Sequence, residues 1–333
     1  MNRSLSLNPS LSSLASAARP PRAAATAFSL RPYAARDRIA VARLLHQDLS
    51  GRHDRRGRPP VAAYAPEDLA GVPDLHERLS AEGGLVAVGN QESAPIGVCF
   101  VRRTGARADI GPLAVHPSHL GRGVAGALLA RAVGEAEDAG IETVALFADA
   151  DRPDLVALAD RLGFSTRQVY FAFTLAVPPE GLATDMDASR VRLAVAQDIG
   201  PMAELENRIT EIARIDEHAL ALTDETGGFR VHVADGKAGR VDGFAVATRH
   251  AAFNSIGPCI AGDEETAAAL IACAAGLFHG ETIQLLVPAA ARGLIALLYA
   301  WNARLGNVRL LQARGPFRPR IGIVMPGMLL GGG

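Results

Sequence analysis

The segment Ile110–Ala136, IGPLAVHPSHLGRGVAGALLARAVGEA, holds the residues of this chain best placed to do chemistry. A strand pattern ends at Val115-His116-Pro117, and the turn Gly121-Arg122-Gly123 leads into an amphipathic helix. Amides at a helix start lack intrahelical partners and sit at the positive end of the macrodipole, so they attract phosphate. Glycines there let the backbone approach phosphate oxygens with no Cβ in the way. The chemistry implied is the holding of a phosphate-bearing ligand. The run lacks the Gly-Lys-Ser/Thr of a P-loop, and three strand-like runs precede it where a dinucleotide fingerprint needs a βαβ opening.

The elements that must position this turn follow from periodicity. Phe28–Pro32 reads as a strand and Arg36–Leu49 as a helix, with Ile39, Val41, Ala42, Leu44 and Leu45 on its apolar side. Gly51–Tyr64 reads as a basic loop and Glu67–Ala81 as a second helix. Leu85–Val88, Ile96–Arg103 and Asp109–Val115 have strand composition. A helix over Arg122–Ala139 follows, with Gly140 in the place of a C-cap glycine. Thr143–Phe147 is a strand, Pro153–Leu162 a helix that Pro153 can begin, and Val169–Ala176 a last strand.

The pattern then repeats. A shift of 161 residues lays Arg31, Asp37, Ala42 and Leu44 on Arg192, Asp198, Ala203 and Leu205. A shift of 146 lays Gly97 on Gly243 and Ile110-Gly111-Pro112 on Ile256-Gly257-Pro258. Two gapless matches in the same order mark one fold used twice. The expected organisation is an extension over residues 1–27, a first domain over 28–176, a linker over 177–190 and a second domain over 191–333. The extension is rich in Ser, Ala and Arg, as in a transit peptide. Pro20 and Pro21 break the helix such a peptide uses, so the reading is a disordered extension, with organelle targeting as the alternative.

Composition narrows the function. The 333 residues are 49% hydrophobic and 21% charged, and 34 basic against 35 acidic side chains leave a net charge of −1. That balance argues against nucleic acid or an anionic membrane as partner. No apolar run reaches the roughly 20 residues of a membrane span. Cys99, Cys259 and Cys273 have no CxxC spacing and read as small core hydrophobes of a reducing compartment, so neither a metal site nor a disulfide is expected and the cytoplasm is the expected location.

The strand, VHP, turn, GRGVA and helix together resemble the acyl-CoA loop of the GCN5-related N-acetyltransferase (GNAT) superfamily, written Gln/Arg-x-x-Gly-x-Gly/Ala. The resemblance covers Phe28–Ala176, including the later Leu162-Gly163-Phe164. The second half resembles the degenerate repeat of bacterial tandem GNAT proteins. This implies an α/β (α+β) architecture of two tandem domains, each a mixed, mainly antiparallel sheet flanked by helices. It also implies acetyl-CoA as donor, its pantetheine pairing with backbone at Leu113 and Val115, and its pyrophosphate on the amides from Gly121 through Arg122, Gly123, Val124 and Ala125 to Gly126. The implied function is transfer of an acetyl group to a primary amine of a small molecule or peptide, by a monomer or homodimer. The alternative is a non-catalytic acyl-CoA-binding or scaffold protein of the same fold.

Three positions depart from the family pattern. Leu120 stands where Gln or Arg is preferred, Ala159 where a general-acid Tyr is frequent, and Gly111 where many relatives carry a Glu base. Asp109 lies two residues before Gly111 on the same strand face and is the candidate base. Tyr170 on the last strand is the candidate acid. His116 reads as structural. The Arg52–Arg58 loop, between the first two helices, borders the acceptor site by resemblance. In the second half the turn is Ala261-Gly262-Asp263-Glu264-Glu265-Thr266, whose acids occupy with negative charge the place a pyrophosphate needs. Tyr299 reads as core there, and the basic tail Arg314–Arg320 as a cover for the domain interface or a lining of the acceptor pocket.

Overall fold

The computed structural model describes residues 27–55, 65–80, 83–183, 188–224 and 226–327. The extension over residues 1–26 and the loop from Arg56 to Arg58 lie outside the described residues. The first half runs β1 (Phe28–Pro32), α1 (Arg38–Arg55), α2 (Gly71–Leu79), β2 (Gly84–Gly89), β3 (Pro95–Thr104), β4 (Arg107–Val115), α3 (Val124–Asp138), β5 (Thr143–Asp149), α4 (Pro153–Arg161) and β6 (Ser165–Ala176). The helix expected over Glu67–Ala81 is a 3-10 turn, Pro66–Ala70, followed by α2. The loop expected from Gly51 begins as helix instead, because α1 continues to Arg55.

The second half repeats the order: β7 (Val191–Leu193), α5 (Ile199–Thr210), α6 (Ile215–Leu222), β8 (Phe229–Asp235), β9 (Val241–His250), β10 (Phe253–Ala261), α7 (Glu264–Ala275), β11 (Thr282–Pro288), α8 (Arg292–Ala300), β12 (Arg304–Arg314) and a short β13 (Ile323–Met325). The residues matched by the sequence shift make the same bonds. The guanidinium of Arg31 donates to both carboxylate oxygens of Asp37 (2.7 and 2.8 Å), and Arg192 does the same to Asp198 (2.7 and 2.9 Å). Each Asp also accepts the amide three residues before it, so one side chain closes the turn into α1 and the other the turn into α5.

The matched glycines have a packing reason. A Cβ on Gly97 would stand 2.8 Å from Val124 Cγ1, and one on Gly243 2.8 Å from Leu270 Cδ1. Only a residue with no side chain lets α3 lie on β3 and α7 on β9 so closely. Both helices bury an apolar stripe against the sheet. Leu128, Leu129 and Ala132 of α3 and Leu270, Ile271 and Ala274 of α7 are fully buried, and each such Leu or Ile contributes about 1.5–3 kcal/mol.

The thirteen strands among the described residues join one sheet, in the order β1-β2-β3-β4-β5-β12-β6-β11-β10-β9-β8-β7, with β13 pairing β10. It is mixed and mainly antiparallel, only β4–β5 and β10–β11 being parallel. At its centre the halves exchange their last long strands. Strand β12 of the second half pairs with β5 of the first, and β6 of the first pairs with β11 of the second. Neither half therefore has a free sheet edge at this junction, and neither completes its sheet alone.

The basic tail crosses the back of this junction. Arg320 donates to the Tyr170 hydroxyl (2.9 Å), Thr143 donates to the Pro316 carbonyl (2.7 Å), and Arg167 lies over the Phe317 ring. Tyr299 is half exposed, its ring edge-on to Phe173, which corrects the expectation that it belongs to the core.

Candidate functional site

Strands β4 and β5 pair in parallel only from Arg107↔Thr143 to Ile110↔Leu146, and then separate. A bulge opposite Phe100 inserts Gly111 and Pro112 at the point of separation, since Cys99 faces Leu113 while Val101 faces Ile110. Beyond it, His116 donates to the Ile96 carbonyl (2.8 Å). Bonded pairs alternate along an antiparallel ladder, so Ala114 exchanges bonds with Val98 while the polar groups of Leu113 and Val115 point away from β3 into the notch. No strand pairs with that edge among the described residues.

Eight residues, 116–123, connect β4 to α3. His116 forms the start of this connection, its Nδ1 taking the Ser118 amide (3.3 Å), which is the structural role expected of it. Gly121 and Gly123 have φ of +74° and +82°, a region glycine enters without strain. A Cβ on either would meet nothing within 4 Å, so the space over the turn is open. Gly123 is the N-cap of α3 and provides no side-chain bond to the helix amides, and the first turn has no acidic residue. Arg122 and Leu120 are exposed beside it. Gly121, Arg122, Gly123, Val124, Ala125 and Gly126 thus form an unblocked helix start at the end of the open β4 edge.

The second half has closed the same place three times over. Its β10-to-α7 connection is two residues, Gly262 and Asp263. Asp263 caps α7 by accepting the Thr266 amide (2.7 Å), and Glu264 accepts the Leu294 amide at the start of α8 (2.6 Å). Strand β13 lies along the β10 edge, pairing Cys259↔Met325 and Ala261↔Ile323, the positions equivalent to Leu113 and Val115.

A cavity of about 330 Å³ opens on the first-half notch. Ile110, Gly111, Pro112 and Leu113 of β4 face Leu146 and Phe147 of β5 across it. Leu45, Asp48 and Leu49 of α1, with Val72 and His76 of α2, form a second wall. The second half contributes Phe253, Gln284, Asn307 and Arg309 through the strand exchange. Asp149 is buried at the end of β5, taking a bond from Asn307 (2.9 Å) and lying 3.2 Å from Arg309 Nε. Arg152 clasps Asp154 with two hydrogen bonds and lies 4.0 Å from Asp48. The Asp154 bonds come first in holding the guanidinium's pKa above its usual value, against the opposing effect of burial.

Asp109, the expected base, does line this cavity, but its carboxylate is already engaged. Oδ1 takes two bonds from Arg107 (3.0 and 2.7 Å), and Arg102 lies 3.7 Å from Oδ2. Arg102 in turn lies 2.9 Å from Glu217 of α6, a contact too poorly angled to count as a hydrogen bond but close enough to be an ion pair. Glu217 faces Arg214, and Arg214 and His218 both bond Glu206 of α5. Burial alone would raise the pKa of Glu206, but Arg214 and His218 pull it down to about 2. Asp109 is thus one end of a buried network that ties the halves together.

Tyr170, the expected acid, is fully buried and is not part of the cavity lining. Its hydroxyl donates to Gln168 (3.0 Å) and accepts from Arg320. Burial pushes its pKa up, so it keeps its proton. The groups around Asp109 and Tyr170 come from both halves: Arg107, Arg102 and Gln168 from the first, and Glu217 and Arg320 from the second. Asp48, His76 and Asp149 face the cavity and were missed, because they stand on three separate elements with no common spacing. Among the described residues, no group of three or more His, Cys, Asp or Glu is placed to hold a metal, and no helix is long and apolar enough to cross a membrane.

Residues 51–164 match the model of the Acetyltransferase (GNAT) family, and residues 226–306 match that of an Acetyltransferase (GNAT) domain. No curated protein matches the sequence. Among solved structures, a candidate acetyltransferase from Pyrococcus horikoshii is similar over 94% of this chain and 99% of its own, at 15% identity and a TM-score of 0.73. A GCN5-related N-acetyltransferase from Sphaerobacter thermophilus is similar over 89% and 97%, at 16% identity and 0.61. A tandem GNAT protein from the clavulanic acid biosynthesis pathway is similar over 87% and 100%, at 17% identity and 0.59.

Proposed function

We propose, for a chain that belongs to the GNAT superfamily and carries two of its domains, that the first half transfers an acetyl group from acetyl-CoA to the amine of a small molecule, and that the second half is a scaffold without a coenzyme. One observation carries the reading. In the first half the open β4 edge runs from the cavity at Ile110–Leu113 toward the unblocked start of α3, while both features are closed in the second.

The donor fits these residues. Peptide-like pantetheine adds to the outward groups of Leu113 and Val115 as a strand would, and the diphosphate rests on amides 121–126. Arg122 adds a local positive charge. The thioester then lies between β4 and β5 with the acceptor in the cavity beyond. The amine nitrogen attacks the acetyl carbon, the new C–N bond forms, and the C–S bond breaks. Water carries away the ammonium proton and protonates the departing thiolate, since Ala159 and Tyr170 provide no acid at the cavity. Asp48 and Asp149 orient the amine by charge. One chain suffices as a monomer, because each half completes the other's sheet. Three free thiols fit a reducing cytoplasm.

A second reading has its own support. Asp109 and Tyr170 are both engaged elsewhere, which suits a protein that binds acyl-CoA without turning it over. Thiol release from acetyl-CoA, measured across polyamines, amino acids, aminoglycosides and peptide N-termini, separates the two. Release with any amine supports the transferase; coenzyme binding with no release on the whole panel supports the binder.

A further inference from the structure

Among the described residues lining the cavity, His76 combines deep burial with a polar atom that has neither a hydrogen bond nor an ion pair, whereas buried Arg102 is ion-paired with Glu217. The ring stacks on Phe100, with centroids 4.6 Å apart and planes 17° from parallel. It is 5% exposed, and its Nδ1 has no hydrogen-bond partner among the described residues. A buried polar atom without a partner needs a reason, and a ligand that completes it is one. Burial first, and the nearby Arg102 second, lower its pKa to about 3, so the ring is uncharged at any working pH. An uncharged imidazole suits an uncharged partner, and a ring flip presents either nitrogen to the cavity.

Apart from Arg102, the wall around His76 is apolar, with Leu45, Leu69 and Val72 of the first half and Phe253 of the second. The carboxylates of Asp48 and Asp149 belong to the same cavity. We infer that the acceptor is an amine with an apolar body ending in an uncharged hydroxyl or amide, its cationic end near Asp48 and Asp149 and its uncharged end hydrogen-bonded to His76. This inference rests on the transferase reading for the amine. It makes His76 a specificity-determining residue and not a base.

The test compares 4-hydroxyphenethylamine with phenethylamine, and 6-aminohexanol with hexylamine, as acceptors for the full chain with acetyl-CoA. The hydroxyl-bearing member of each pair should be favoured about tenfold in kcat/KM, through KM. His76→Leu should erase the preference, and His76→Asn, which keeps a hydrogen-bonding group, should retain part of it. Thermal melting confirms that both variants fold. Equal use of both members, a preference unchanged in His76→Leu, or activity confined to amines without an apolar body overturns the inference and leaves the transferase reading standing. If no amine releases thiol, the transferase reading falls instead. Calorimetry of the same four amines on the coenzyme A-loaded protein then decides the point: the same tenfold preference, lost in His76→Leu, supports the inference, and its absence overturns it.

Discussion

Cys259 of β10 pairs with Met325 of β13 on the edge where Leu113, its counterpart in β4, has no strand among the described residues, β3 lying on its other side. The chain's own C-terminal strand thus lies where the second half would have received a pantetheine arm. β13 on the edge, Asp263 on the helix amides and a connection of two residues support the proposal that this half holds no coenzyme.

The first consequence is stoichiometry. Calorimetric titration with coenzyme A should give one site per chain. Two sites of comparable affinity would mean that β13 and the Asp263 cap yield readily to the ligand.

Gly126 tests the helix start by making the first half resemble the second. A Cβ there meets only Leu158 Cδ1, at an ordinary 3.5 Å, so Gly126→Ala should bind coenzyme A as the natural protein does. Gly126→Asp puts a carboxylate into the first turn of α3 and should weaken binding at least about tenfold, by charge repulsion with the diphosphate. Equal affinity of the two variants would place the diphosphate elsewhere.

Leu120 offers a gain. It is 50% exposed beside the turn, where the family pattern has Gln or Arg. Leu120→Arg should tighten coenzyme A binding about threefold at low salt, with the advantage shrinking as ionic strength rises. A salt-independent effect would point to packing in place of charge.

The helix, the turn and the repeat were legible because each is local. Apolar periodicity and the Arg31–Asp37 pair leave marks within ten residues that the structure reproduces in both halves, and the Gly121–Gly123 spacing leaves one in the first half. The strand exchange left no such mark. Alternation tells which face of β6 or β12 is buried, and nothing about which strand lies beside it. The surroundings of the candidate acid and base depend on that exchange in part: Tyr170 and Asp109 stand on the expected strands, but Arg320, which bonds Tyr170, and Glu217, which pairs with Arg102 beside Asp109, come from across the junction. Asp48, His76 and Asp149 become one site only when α1, α2 and β5 meet.

Tyr170→Phe separates the catalytic reading from the structural one. It leaves Arg320 and Gln168 without the hydroxyl they share, so it should cost about 1–2 kcal/mol of stability while keeping kcat within about twofold. A large loss of kcat with an unchanged melting curve would restore Tyr170 as an acid.

Glu206 gives the network a pH signature. Its folded pKa, about 2, lies below the ordinary carboxylate value of 4.5, so its contribution to stability is complete above about pH 4.5 and is lost as pH falls toward 2. Melting temperatures should therefore drop across that window. Glu206→Gln, which strands Arg214, should be destabilised by about 3–5 kcal/mol at pH 7 and show a shallower acid dependence. A variant as stable as the natural protein at pH 7 would mean that the buried Glu206–Arg214 pair does not stabilise the second-half end of the network.

The most direct measurement is a crystal structure of the full chain with coenzyme A. The account predicts diphosphate oxygens within hydrogen-bonding distance of the amides of residues 121–126, the pantetheine alongside Leu113 and Val115, and β13 still paired with β10. Coenzyme A bound at the second half, or a first-half notch left empty at saturating ligand, would contradict it.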